Sequence, residues 1–362
     1  MCSSRVRLLI DILHPAHVHI FRNLVNELQA RGHEVRLTMR DKDVARELLD
    51  EYGFSYEILS RQQSGLALAG EFLQRNARLW QVIERFRPHF LAGAMGPSIA
   101  SVGRLRRLLC GDRVRIVVFY DTERAPLTNT FVYPLADYVC TADCYYGPVR
   151  GNHLTYPGYQ QLAYLHPNRF TPDPEVVRNA GVDPTSPYYV VRFVSYQASH
   201  DLSTMGLSDE KKLELVRMLS EHGRVLVTSE RALPAALEPY RMRLPANRVH
   251  HVLAFARLLV GESATMASEA AVLGVPAVYI SPQGRGFTDD QERRYGLVTN
   301  FTERRFHENW MSTVSALASD GTLAERAREA RARLLSEKID VTAWMIELFE
   351  REYEATFGKS SD

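Results

Sequence analysis

The chain has 362 residues, 45% of them hydrophobic, and sets 44 Lys and Arg against 43 Asp and Glu. That length exceeds one hydrophobic core and predicts two domains of about 150–200 residues, while a formal charge of +1 removes the electrostatic reason to expect a nucleic-acid partner. Cys2, Cys110, Cys140 and Cys144 are too scattered for a disulfide framework, and Cys140 and Cys144 read as packing rather than zinc ligands. With no bilayer-long apolar run and no signal-peptide pattern, a cytoplasmic protein is expected.

Val6–Leu13 is a continuous apolar run, the pattern of a strand buried in a parallel sheet. After His14-Pro15-Ala16 the period becomes helical, with Ile20, Phe21, Leu24, Val25 and Leu28 on one face and Gly32 as the stop. Val35–Met39 reads as strand, Val44–Tyr52 as helix and Tyr56–Leu59 as strand. A helix near Phe72–Phe86 and strands at Phe90–Ala94 and Arg115–Tyr120 follow. Arg75, Arg78, Arg85 and Arg87 are expected on a solvated face, and the basic, apolar run Gly103–Leu109 on a surface helix able to meet an anionic membrane.

From 157 to 187 regularity lapses and prolines recur, among them Pro157, Pro167, Pro172, Pro174 and Pro184, as in a linker. Alternation then resumes with Tyr188–Phe193, Val225–Thr228, Leu258–Val260 and Ala277–Ile280 as strands. The expected organisation is an α/β chain with a first domain over 1–170, a linker over 171–187 and a second domain over 188–339. A final helix over 340–362, with Val341, Trp344, Met345, Leu348 and Phe349 on one stripe, is expected to pack back on the first domain.

Residues 261–276, GESATMASEAAVLGVP, close a strand, turn on small residues and open a helix. Backbone N–H groups and the positive helix end then converge where a phosphate would sit. Ser263 and Thr265 lie in that turn, and Glu269 is one helical turn in, where it could accept hydrogen bonds from ribose hydroxyls. An ordinary solvated acid is the other reading of Glu269.

The motifs His14–Phe21 (HPAHVHIF), Tyr120–Ala125 (YDTERA), Tyr156–Leu165 (YPGYQQLAYL), Arg192–Asp201 (RFVSYQASHD) and Thr265–Pro276 span both halves. They are similar to a bacterial and archaeal family known as domain of unknown function 354, and the whole chain resembles a GT-B-type glycosyltransferase. That resemblance implies two facing Rossmann-like domains with an interdomain cleft. More distantly the chain is similar to the peptidoglycan N-acetylglucosaminyltransferase, in which the first βα loop is glycine-rich and ends in histidine. His17 holds the comparable place, with Pro15 and Ala16 in the glycine positions. The kinship implies His17, with His19 beside it, as the base for an acceptor hydroxyl, the helix dipole favouring neutral imidazole.

The same kinship implies a donor-diphosphate site in 192–201. Ser195 and Gln197 are retained there, Arg192 and His200 supply counter-charge, and Ser195 or Ser199 supplies hydrogen bonds. Asp201 joins this set, a structural pair with His200 or Arg192 being its alternative. Glu269 matches that transferase's ribose-binding glutamate, with Ser263 and Thr265 facing the phosphates. Asp290 and Gln291, in the glycine-containing stretch 283–291 read as a loop, fit the place where many GT-B enzymes contact the donor sugar. Asp121 and Glu123 at a strand end, and Asn129 in Leu127-Thr128-Asn129, are expected on the acceptor side.

The implied activity is transfer of a sugar from a nucleotide-diphosphate donor, UDP-linked by kinship, to a glycan or lipid-linked acceptor. No cofactor and no metal are expected, because GT-B enzymes generally steady the leaving diphosphate with helix dipoles and side chains. A non-hydrolysing nucleotide-sugar 2-epimerase of the same fold is one alternative. A non-catalytic nucleotide-sugar or polysaccharide-binding protein is another, favoured by the loss of glycines from both phosphate loops. The expected location is cytoplasmic or peripheral to the inner face of the membrane.

Overall fold

The computed structural model describes residues 5–41, 43–63, 67–123, 126–194, 206–230 and 232–358. They form two compact units: one runs up to Arg169 and resumes at Ile339, and the other is Phe170–Lys338.

The first unit alternates β1 (Arg7–Ile12), α1 (Pro15–Ala30), β2 (Glu34–Asp41), α2 (Asp43–Glu51), β3 (Tyr56–Arg61), α3 (Ala67–Phe86), β4 (Phe90–Ala94) and α4 (Pro97–Cys110). It continues through β5 (Arg115–Tyr120), α5 (Pro126–Val132), β6 (Tyr138–Ala142), β7 (His153–Tyr156) and the short α6 (Leu162–Leu165). The strands form one seven-stranded sheet in the order β3-β2-β1-β4-β5-β6-β7. All pairs are parallel, with Leu9 in register with Arg36 on one side and Leu91 on the other. Strand order reverses direction between β1 and β4, the switch point at which such sheets open a crevice. Strands β6 and β7 extend the sheet beyond what the apolar runs indicated. Both are short, and His153 and Thr155 lie on the sheet's edge strand.

Helix α1 begins where Pro15 occupies a first-turn position and His14 caps it, the Ala16 N–H donating to His14 Nδ1 at 3.2 Å. Its buried face is Phe21, Leu24, Val25 and Leu28, as the helical period requires. Below the sheet, Leu79, Val82, Ile83 and Phe86 of α3 pack with Leu9, Leu91 and Ile116. Arg75 is not on a solvated face: it is 3% exposed, and its guanidinium pairs with Asp11, which is 0% exposed near the carboxyl end of β1. Thr38 also donates to Asp11 Oδ1, at 2.8 Å. A carboxylate inside a strand is tolerable only with such partners. Arg78 donates to the Leu59 carbonyl at 3.2 Å, whereas Arg85 stays exposed against Glu57.

The second unit comprises α7 (Pro174–Asn179), β8 (Tyr188–Phe193), α8 (Asp209–Ser220), β9 (Arg224–Ser229), α9 (Val249–Ala254), β10 (Leu258–Gly261), α10 (Ala264–Leu273), β11 (Ala277–Ser281), α11 (Gly286–Tyr295), β12 (Val298–Thr302), α12 (Trp310–Ser319) and α13 (Leu323–Glu337). Its five parallel strands run β12-β11-β10-β8-β9, so the switch point lies between β8 and β10. Part of the expected linker, 171–187, is ordered structure: Asp173 caps α7 by accepting from the Glu175 N–H at 2.9 Å. The stretch 283–291 is a loop only as far as residue 285, because α11 starts at Gly286 and carries Asp290 and Gln291 in its interior. Glycines at 284 and 286 suggested a turn, but the second is tolerated in the first helical turn.

The last helix, α14 (Val341–Phe357), returns to the first unit. Asp340 caps it, and Arg169 bridges Asp340 and Glu27. Thr342 donates to the Ala163 carbonyl at 2.7 Å, and the Phe349 ring meets Phe90 edge-on at 5.3 Å. Phe349 is fully buried. Phe349→Ala is expected to cost about 3–5 kcal/mol of stability, measured as a lowered urea midpoint with unchanged slope.

Candidate functional site

In the second unit the turn after β10 is built by steric necessity. A Cβ on Gly261 would run into the carbonyl oxygen of Arg192 on β8, so the two strands can approach only because residue 261 is glycine. Ser263 then caps α10, accepting from the Met266 N–H at 3.3 Å, and Gly274 at φ 84 ends it. Ser263, Ala264 and Thr265 are half-exposed at this helix start, whereas Met266–Leu273 are buried. Ser263 and Thr265 therefore stand at a positive helix end beside the switch point. Glu269 is 6% exposed, and its Oε1 lies 3.1 Å from His250 Nε2 on α9. It is not a solvated acid, and a ribose hydroxyl reaching it would share it with the imidazole.

Glu262 ties the switch point together. It is 4% exposed. Its two oxygens accept the N–H groups of Leu207 at 2.7 Å and Val194 at 3.1 Å, and its own N–H donates to the Arg192 carbonyl at 2.9 Å. One carboxylate thus holds both flanks of the segment between β8 and α8. Burial pushes its carboxyl above the usual range, although the Leu207 and Val194 N–H groups and Lys212 oppose that. The signal available in sequence was an acid directly after an apolar strand, where solvent exposure is the ordinary expectation.

Arg192 projects toward β9, donating to Thr228 Oγ1 at 3.0 Å and to Glu230 at 2.8 Å. Among the described residues its charged partner is Glu230. Ser195, Gln197, Ser199, His200 and Asp201 lie outside the described residues. Asp290 is 4% exposed, accepts from Arg293 at 3.0 Å and lies 3.9 Å from the Lys338 ammonium. Gln291 is fully buried and donates to Ser268 Oγ at 2.8 Å. Both side chains brace α11, Gln291 against α10 and Asp290 against the end of α13, instead of standing on an open loop.

In the first unit the three histidines at the start of α1 separate into distinct roles. His14 is the exposed cap. His17 is 7% exposed, and its Nδ1 accepts the Leu13 N–H at 3.2 Å. That bond selects the neutral tautomer with hydrogen on Nε2, so in this conformation the outer nitrogen of His17 is a donor and not a base. The His19 ring stacks on Tyr164 at 5.4 Å and meets Tyr52 edge-on at 6.0 Å, with its Nδ1 3.3 Å from the Tyr52 hydroxyl.

At the carboxyl ends of β5 and β6, Asp121 and Glu123 are half-buried, and the Thr122 hydroxyl donates to Asp121 at 3.0 Å. Asn129 Nδ2 lies 3.5 Å from the Tyr145 hydroxyl, which lies 2.8 Å from that of Tyr133. The Tyr120 ring packs edge-on against Tyr133 at 4.8 Å, and its buried hydroxyl has no partner among the described residues. Burial pushes the phenols of Tyr120, Tyr133 and Tyr145 up, so they remain neutral hydrogen-bonding groups. The tyrosines were not singled out in sequence because aromatic residues at strand ends ordinarily mean core.

Among the described residues no group of three or more His, Cys, Asp or Glu could hold a metal ion. No helix of the described residues is long and apolar enough to cross a membrane. On α4, Arg106 is buried between Glu84 and Asp112 and Arg107 pairs with Asp137, leaving Leu105, Leu108 and Leu109 exposed.

Two Rossmann-like units in one chain, each with a parallel sheet and its own switch point, define the GT-B fold. Structural neighbours of the chain are GT-B glycosyltransferases and UDP-N-acetylglucosamine 2-epimerases. Residues 6–145 match the family described as "Protein of unknown function (DUF354)". An uncharacterized protein of Methanocaldococcus jannaschii, MJ0665, is 23% identical over 291 residues, covering 76% of this chain and 81% of its own length. The UDP-GlcNAc 2-epimerase from Neisseria meningitidis, solved bound to UDP-GlcNAc, is 9% identical with a TM-score of 0.65, over 98% of this chain and 100% of that one. MurG of Acinetobacter baumannii is 13% identical with a TM-score of 0.60, over 95% and 99%. At such identities the likeness establishes the fold.

The raised carboxyl of Glu262 has a measurable consequence. A group whose folded-state pKa is raised contributes stability below its unfolded value and loses it as pH climbs through the folded one. The stability of the protein relative to Glu262→Gln is therefore expected to fall as pH rises from about 4.5 toward neutrality, read from urea midpoints along that series.

Proposed function

We propose that this chain is a glycosyltransferase that moves a sugar from a UDP-linked donor to a glycan or lipid-linked acceptor, without a metal or other cofactor. The observation carrying this reading is the β10–α10 turn: a glycine-dependent strand contact, a serine-capped helix start and a buried glutamate one turn in, all at the switch point of the second unit. In this reading the first turn of α10, Ser263 and Thr265 hold the diphosphate, and Glu269 takes the ribose hydroxyls beside His250. Arg192, Ser195, Gln197, His200 and Asp201 complete the donor side, with Asp290 and Gln291 acting indirectly by bracing α11.

In the transfer, an acceptor oxygen bonds to the anomeric carbon as the bond to the diphosphate breaks, and the acceptor proton passes to a base. His17 donates from Nε2 to the reacting oxygens, and a carboxylate of Asp121 or Glu123 takes the proton, with Asn129 and the tyrosine hydroxyls orienting the acceptor. Association of the acceptor side with a membrane is part of the proposal, supported by the exposed leucines of α4.

A second reading, nucleotide-sugar 2-epimerase, is favoured by one observation: the TM-score to the Neisseria meningitidis epimerase, 0.65, exceeds that to MurG, 0.60. Incubation of UDP-GlcNAc alone in heavy water separates the two. Deuterium at C2 without any acceptor supports the epimerase and overturns the transferase, whereas acceptor-dependent release of UDP supports the transferase.

Calorimetric titration with UDP, GDP, CDP and ADP is expected to show selective binding of UDP that EDTA leaves unchanged. Glu269→Ala is expected to weaken that binding about tenfold or more, as loss of a charged hydrogen bond would. No binding of any nucleotide by folded protein would overturn both enzyme readings.

A further inference from the structure

At the switch point of the first unit, a cavity of about 620 Å³ opens between the turn after β1, the start of α3 and the start of α4. Its volume is that of a small-molecule site rather than a macromolecular groove. Its apolar wall is Leu13, Leu68, Phe72 and Pro97, and its polar floor is Arg40, Glu71, Arg75 and Ser98. Three properties define what it can hold.

The floor carries charges that are already compensated. Arg40 donates to both oxygens of Glu71, at 2.6 and 2.7 Å, and Arg75 pairs with Asp11. Ser60 and the Gln63 N–H also donate to Glu71, at 3.0 and 2.8 Å. Burial alone would raise the Glu71 carboxyl; the Arg40, Gln63 and Ser60 hydrogen bonds outweigh that and hold it below the usual range. Arg40 and Arg75 are balanced by Glu71 and Asp11, so the floor gives an anion no net attraction.

Two lining side chains keep a buried polar atom without a partner among the described residues, Arg75 at Nε and Ser98 at Oγ, and Ser98 is the uncharged one. Ser98 is 1% exposed, lines the cavity, and its Oγ has no partner among the described residues. It sits in the first turn of α4, a helix of 14 residues whose cap Gly96 supplies no side-chain hydrogen bond. A buried hydroxyl without a partner is costly, and a neutral oxygen from a ligand would satisfy it.

The wall continues outward. Leu68, Phe72 and Leu73 are 51, 38 and 69% exposed on one end of α3, a strip of apolar surface contiguous in sequence with the cavity lining. Leu13, at the inner end, is the residue whose N–H holds His17. The cavity therefore adjoins the loop that positions the imidazole.

We propose that this cavity binds a neutral apolar group, an alkyl or aryl aglycone whose attached oxygen bonds to Ser98, and that the acceptor is accordingly a glycoside with a hydrophobic aglycone rather than a bare glycan. The cavity's chemistry is independent of the transferase reading; only its assignment to the acceptor rests on that reading.

The test is titration of the full chain with methyl, butyl and octyl β-D-glucopyranoside below the micelle concentration, with UDP titrated on the same samples. Octyl glucoside is expected to bind at least about tenfold more tightly than methyl glucoside, from burial of the added methylenes. Leu68→Ser and Phe72→Ser, at partly exposed positions, are expected to reduce that preference to about threefold or less while UDP binding stays unchanged. Ser98→Ala is expected to weaken all three glycosides and leave their ratio intact. Affinity independent of chain length, or octyl binding that the two serine variants leave untouched, would overturn the proposal. So would sedimentation showing that octyl glucoside merely dissociates a dimer formed through this face. Loss of UDP binding with the alkyl preference intact would sink the transferase and leave the cavity assignment standing.

Discussion

A parallel sheet covered on both faces leaves its strands no room for chemistry along their length. Every strand of both sheets pairs in parallel, so all carboxyl ends of a sheet emerge on one edge, and polar groups meant for a ligand must be delivered there. The features singled out in each unit obey this constraint. The histidines follow β1, Ser98 follows β4, the acids and tyrosines follow β5 and β6, and the serine-capped helix follows β10. Where strand order reverses, two such ends diverge and a crevice results, which is why the cavity in the first unit and the α10 turn in the second occupy equivalent topological positions.

Buried carboxylates then fix the loops at these edges. Asp11 and Glu71 in one unit and Glu262 in the other are each 6% exposed or less, and each accepts from arginine, hydroxyl or backbone N–H donors, Asp11 through Oδ1 alone. A carboxylate so engaged is a poor ligand group but a stiff support. It converts a sequence-local loop into one whose ends are held from a neighbouring strand, as a preorganised site needs. The same logic moves Asp290 and Gln291 out of direct contact with a donor and into the bracing of α11.

Much of the architecture was legible because apolar runs and helical stripes are strong signals: β1, α1, β8, β10, α10 and α14 all stand where their periodicity puts them. The short strands β6, β7 and β12 were not, since four or five residues flanked by polar positions carry little pattern. The site was readable only where local chemistry declares itself, as at Ser263 and Glu269. Arg75 and Glu262 were read as solvated or passed over because burial of a charge depends on a partner distant in sequence: Asp11 is 64 positions from Arg75, and Leu207 is 55 from Glu262. The tautomer of His17 depends on one backbone N–H, which no spacing reveals.

The first unit is written in two pieces, interrupted by the whole of the second. During synthesis the surface that Phe349 and its neighbours cover, including Phe90, is therefore complete long before its cover is made. At ordinary translation rates the wait is on the order of ten seconds or more. The nascent sheet must survive that interval with an apolar face open to solvent. The second unit, uninterrupted, can fold while the first is still waiting.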